Sequence, residues 1–165
     1  MKLENIIKQF NGIVVTFNIE DKYYKQIEKN KNVSDIWVFT KNSDNKKFIK
    51  QNNDNSKISA KKIYKVVKHA DYVIIDIKDI YKYLDNIMYT VSKICKNKLY
   101  IIGKIEKYQM DYLVKKYKRH YNIIYENNIL EVNLNPKKNT YLKPIYYIYD
   151  ILYNIIDKIG NLIMN

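Results

Sequence analysis

Three glycines and two prolines in 165 residues leave this chain few of the residues that usually punctuate turns. A single cysteine, Cys95, excludes an intrachain disulfide framework. It falls at a helical apolar position, where a buried packing thiol is the ordinary role. With that one thiol and two distant histidines, His69 and His120, no zinc-ligand spacing exists. Arginine occurs once, at Arg119. No apolar run is long enough to span a bilayer. The first residues, Met1-Lys2-Leu3-Glu4-Asn5, carry charge and an amphipathic pattern instead of the apolar run of a secretory signal. A cytoplasmic protein without a membrane span is the expectation.

What is abundant is isoleucine, lysine, asparagine and tyrosine, together more than half of the chain, as in an AT-rich coding sequence. The net charge of +13 invites a nucleic-acid partner. Phosphate and base recognition favours arginine, whose planar fork binds bidentately, and here the charge is almost all lysine. A lysine-solvated surface is therefore the preferred reading of the charge. The best nucleic-acid candidates are Lys115, Lys116, Lys118 and Arg119, beside His120, Tyr112 and Tyr117. In the blander alternative, Tyr117 is core and the lysines are the solvated side of a helix.

The length suits one domain, and 47% hydrophobic residues suffice for a core. Leu3, Ile6, Ile7 and Phe10 share a helical face, and Asn11-Gly12 reads as its stop. Apolar strands follow at residues 13–17 and 36–40, with a short helix over 20–30 between them. Residues 41–57 read as a loop with at most one helical turn. Ser59 is placed to cap a helix whose Ile63, Val66 and Val67 face inward. The strongest strand is Asp71-Tyr72-Val73-Ile74-Ile75-Asp76. Asp79 then caps a predicted helix whose stripe runs from Ile80 to Cys95, and residues 98–103 form the next strand. A helix over 106–121 buries Met110, Leu113, Val114 and Tyr117. Asn127-Asn128 joins two strands in a tight hairpin, because asparagine tolerates positive φ. The second of these alternates Leu130, Val132 and Leu134 with Glu131 and Asn133, as a half-exposed antiparallel strand would.

Strands separated by helices imply a mostly parallel, Rossmann-like sheet in a three-layer α/β sandwich. With a terminal antiparallel hairpin, the element order over residues 1–134 resembles the class I S-adenosylmethionine-dependent methyltransferase fold. Residues 70–76 look like that family's fourth strand and residues 98–103 like its fifth. A third strand between residues 41 and 70 is not placed. The family's first strand runs into a glycine-rich turn, whereas Phe17-Asn18-Ile19-Glu20-Asp21 has no glycine. Its second strand tends to end in an acid for the ribose hydroxyls, for which Asp44 is a late substitute. Asp76 matches the polar position after the fourth strand, although Ile77-Lys78-Asp79 replaces the family's Pro-Pro-Tyr type sequence. The resemblance therefore implies cofactor candidates at Asn18, Glu20, Asp44 and Asp76, in a pocket that departs from the pattern.

The domain expectation is a methyltransferase-like unit over residues 1–135 and a C-terminal amphipathic helix within 136–165. Ile148, Leu152, Ile155 and Ile159 give that helix a wide apolar face, for docking on its own domain, on a second copy or on a protein partner. The functional expectation is a methyltransferase-like domain without catalysis and without a bound cofactor, acting as a binding or assembly module. The alternatives are an active S-adenosylmethionine-dependent methyltransferase with an atypical pocket, and a sequence-nonspecific nucleic-acid-binding protein.

Overall fold

The structure, a computed structural model, describes residues 2–41, 47–50, 57–59, 63–78, 80–81, 84–104, 106–118 and 121–134. All of these lie within one compact unit, Met1–Asn135. The C-terminal helix expectation, with Ile148, Leu152, Ile155 and Ile159, lies outside the described residues, as do Asp44, Asp79, Arg119 and His120.

In chain order the elements are α1 (Leu3–Ile7), β1 (Gly12–Phe17), α2 (Asp21–Glu28), β2 (Val33–Lys41), β3 (Lys47–Lys50), β4 (Lys57–Ser59) and α3 (Ile63–Val66). They continue as β5 (Ala70–Asp76), α4 (Leu84–Ile94), β6 (Cys95–Ile102), α5 (Lys107–Lys118), β7 (Asn122–Glu126) and β8 (Ile129–Asn133). Among the described residues the strands make one eight-stranded sheet in the order β4-β3-β2-β1-β5-β6-β8-β7. Its centre, β2-β1-β5-β6, is parallel, and each connection between these strands contains a helix, as parallel crossovers usually do. Antiparallel pairs extend it on both sides.

The central strands are apolar without alternation because both of their faces are covered. Val14, Ile74, Tyr100 and Ile102 join Leu3, Ile6, Ile7, Phe10 and Ile27, from α1, the turn after it and α2, in one core cluster. Val15, Phe17, Val73, Ile75, Leu99 and Ile101 join residues of α3, α4 and α5 in another. Phe10 stacks on Tyr72 at 4.6 Å and tilts against Tyr100 at 5.9 Å, so one ring seals two strands. The apolar stripe expected of α4 is buried at Leu84, Ile87, Met88, Val91 and Ile94. Among the described residues no helix is long and apolar enough to cross a membrane.

Several local expectations need correction. Residues 41–57 are not simply a loop: β3 and β4 lie on the edge of β2, with Thr40 opposite Ile49 and Phe48 opposite Ile58. Ser59 accordingly ends a strand instead of capping a helix. In α3, Ile63 is buried, as is Val67 just after it, but Val66, expected inward, is exposed because it falls off their helical face. Helix α4 is shorter than the stripe suggested, and Cys95 already belongs to β6, which pairs Cys95 with Ala70. Finally, β8 is not half-exposed. It lies between β6 and β7, so Glu131 is buried and pairs with Lys98 at 2.7 Å. The exposed strand is β7, at the edge. The hairpin turn is as expected, with Asn127 and Asn128 at φ 53° and 61°.

Burial also sets how the fold responds to alkali. It pushes the Cys95 thiol up from 9.0 to about 12. Burial first, then the neighbouring Glu131 carboxylate, holds the Tyr100 hydroxyl well above its ordinary value. Both groups are neutral when protonated, and each holds its proton more tightly folded than unfolded. Their contribution is therefore complete below the unfolded values and is lost as pH rises toward the folded ones. The melting temperature should fall steadily between about pH 9 and about pH 11, and native Cys95 should resist thiol reagents near pH 8. A flat melting profile across that range would refute this account.

Candidate functional site

The strand order identifies one topological switch point. From β1 the chain passes through α2 to β2 on one side, and it later returns to β5 on the other. The crevice between diverging connections, at the carboxyl ends of such strands, is where open α/β sheets bind ligands. Phe17 is in register with both Phe39 and Ile75, so Asn18 and Asp76 stand side by side just beyond them. Of the four cofactor candidates, the structure brings these two together.

Asn18 makes the turn that glycine would make in a glycine-rich loop. Its φ is 56°, a left-handed value that asparagine accepts with little penalty. Its backbone N–H donates to the Phe39 carbonyl at 2.9 Å, tying the turn to β2. Glu20 sits at the N-cap of α2 without a side-chain capping bond. It is exposed and pairs with Lys22 at 2.7 Å.

Asp76 is only 9% exposed. Its Oδ1 accepts a hydrogen bond from the Lys78 N–H at 3.1 Å, closing the turn after β5. The Ile77 N–H donates to the Ile102 carbonyl at 3.0 Å, which fixes that turn to β6. Gly103 lies directly against it with φ 114°. A Cβ there would stand 2.6 Å from Asp76 Oδ1 and 3.3 Å from the Lys78 nitrogen. The carboxylate thus organises a loop, and a glycine makes room for it.

The chemically active side chains gather at the opposite, amino edge. Asp71 Oδ2 accepts from the Ile13 N–H at 2.9 Å, and Asp71 Oδ1 lies 3.0 Å from His69 Nε2. The Cys95 thiol donates to the Lys98 carbonyl at 3.5 Å and approaches the Asp71 carbonyl at 3.7 Å. With its pKa raised by burial to about 12, that thiol is no nucleophile at neutral pH. Among the described residues no group of three or more histidine, cysteine or acidic side chains could hold a metal ion.

The basic candidates on α5 divide. Lys115 and Lys118 are exposed, whereas Lys116 is half-buried and bridges to Asp85. Tyr117 is buried with Met110 and Leu113. Tyr112 is exposed, and so is Tyr108, which is absent from the sequence candidates although its four-residue spacing from Tyr112, off the buried stripe, is visible in the sequence.

Gly103→Ala should destabilise the fold by about 1–3 kcal/mol in urea denaturation, since the new Cβ would meet both a left-handed φ and a seated carboxylate. At an unstrained loop glycine the same change would stabilise slightly. An unchanged or raised midpoint would show that the Asp76 turn does not hold β5 to β6. Comparison with known proteins assigns no family: no protein-family model matches the chain, and no curated protein matches it significantly.

Proposed function

We propose that the chain is a methyltransferase-like α/β domain of the class I S-adenosylmethionine-dependent type that acts as a binding or assembly module and does not transfer methyl groups. Three features support the fold part of this reading. The core β2-β1-β5-β6 is parallel, the last strand β8 runs antiparallel beside β6, and helices supply core residues to both sheet faces, as a three-layer sandwich requires.

One observation carries the non-catalytic part. At the switch point, the groups that would receive a cofactor are engaged in holding loops. The Asn18 N–H is bound to Phe39, and the Asp76 Oδ1 is bound to Lys78 and packed over Gly103. The first turn carries side chains at every position from Asn18 to Asp21, where a close backbone approach would call for glycine. An active methyltransferase with an atypical pocket is the competing reading.

Titration calorimetry with S-adenosylmethionine separates the two. The expected result is no measurable heat of binding, or binding too weak to saturate. Low-micromolar affinity would overturn the module reading in favour of the enzyme.

A further inference from the structure

We infer that the outer face of α5, with Tyr108 and Tyr112, is a stacking surface for single-stranded nucleic acid. This goes beyond the proposed module role, because it names a partner class and uses residues outside the switch-point crevice.

Most described tyrosines are more covered: Tyr100 and Tyr117 are buried, Tyr23, Tyr24, Tyr64, Tyr72, Tyr89 and Tyr121 are intermediate, and Tyr125 on the edge strand is 42% exposed. Tyr108 and Tyr112 depart from this, at 70% and 56% exposure. They stand one turn apart on α5, so their rings share a face. Tyr81, in the segment after β5, is by contrast half-buried and packs against the core. Segment and helix both begin at the carboxyl edge of the sheet, since they follow β5 and β6. The start of α5 is also fixed, because the Glu106 N–H donates to Gln109 Oε1 at 3.1 Å.

Charge selects among partners for these rings. Lys104 and Lys107 precede Tyr108, Lys115 follows Tyr112 by three residues, and all are exposed. The Lys116 ammonium lies 5.7 Å from the Tyr112 ring centre and bridges to Asp85, which holds the nearest acid on α4. Glu106 and Asp111 leave lysine in excess along the face. Tyrosine suits protein interfaces too, but lysine is depleted at them. Flat rings interleaved with lysines match a polyanion whose bases present open faces, and only unpaired strands do that. In a duplex the bases are stacked on one another, and only the phosphates would be reached.

The test is fluorescence anisotropy of full-length protein with labelled oligodeoxythymidylate, oligouridylate and a mixed-sequence duplex, at low and moderate salt. Both single strands should bind without strong sequence preference, more tightly than the duplex, and the affinity should fall steeply with salt. A preference between the two single strands would identify DNA or RNA as the source. Y108A/Y112A should weaken single-strand binding by about tenfold or more, and Y108F/Y112F should restore it, since phenylalanine keeps the ring. Both positions are exposed, and the single variant Y108A, at the more exposed one, gives the same test with the least disturbance of the helix. No single-strand binding, equal duplex binding, or unchanged affinity in the alanine variants overturns the inference. So does light scattering that shows the rings instead joining two copies of the chain, with the alanine pair monomeric and no oligonucleotide bound.

Discussion

The structure depends on a strand with no solvent-facing side. Val73, Ile74 and Ile75 of β5 are all fully buried, two toward one core cluster and one toward the other. Fully burying each such side chain is worth about 1.5–3 kcal/mol, but only while helices cover both faces. Strand β1 meets the same condition with Val14, Val15 and Phe17, and admits one polar side chain, Thr16, near the Trp37 carbonyl at 3.5 Å. A sheet centre of this kind has no room for chemistry along its strands. Whatever polar function the domain has must collect at strand ends or on the outer faces of helices.

At the ends, β5 solves one packing problem twice. It carries aspartates near its start and at its finish, and each faces a glycine on a neighbouring strand or just past it. Asp71 sits where a Cβ on Gly12 would lie 2.2 Å from Oδ2, and Asp76 has the same relation to Gly103. Each carboxylate accepts a backbone N–H, from Ile13 and from Lys78 respectively. Buried or half-buried carboxylates need such donors, because leaving them unpaired would cost several kcal/mol. This explains why a chain so poor in glycine keeps it at these positions. Both also have positive φ, 75° and 114°, so neither could be replaced on conformational grounds alone.

Much of this was legible in the sequence where burial is two-sided. Unbroken apolar runs marked β1, β2, β5 and β6, and helical spacing marked the inward faces of α4 and α5. What was not legible depends on partners distant in the chain. The Gly12–Asp71 relation spans strands far apart in sequence, so Gly12 looked like a helix stop. Glu131 looked solvent-facing because alternation says nothing about whether β7 will add itself outside β8. Residues 47–50 and 57–59 are strands by pairing with β2 and with each other, while their local composition of lysine, asparagine and serine argued for loop. At the candidate site, Asn18 and Asp76 were named only through the family resemblance, and their adjacency follows from the pairing of β1 with β5. That Asp76 is engaged in holding a turn could be learned only from its geometry.

Helix α5 shows how the two kinds of surface separate. Met110, Leu113 and Tyr117 fall on its inward stripe and are buried, while Tyr108, Tyr112 and Lys115 fall on the opposite side. The same residue type is therefore core at position 117 and surface at 108 and 112, by helical phase alone. Substitution on the inward side opens a cavity beneath the sheet. Substitution on the outward side leaves the packing intact. The switch-point groups do not have that freedom, because Asn18 holds a left-handed turn bound to β2 and the Asp76 carboxylate closes the turn that the Ile77 N–H ties to β6. In this domain the conventional ligand crevice is coupled to the fold, and the outward face of α5 is not. A binding role acquired without loss of stability would arise more readily on that face.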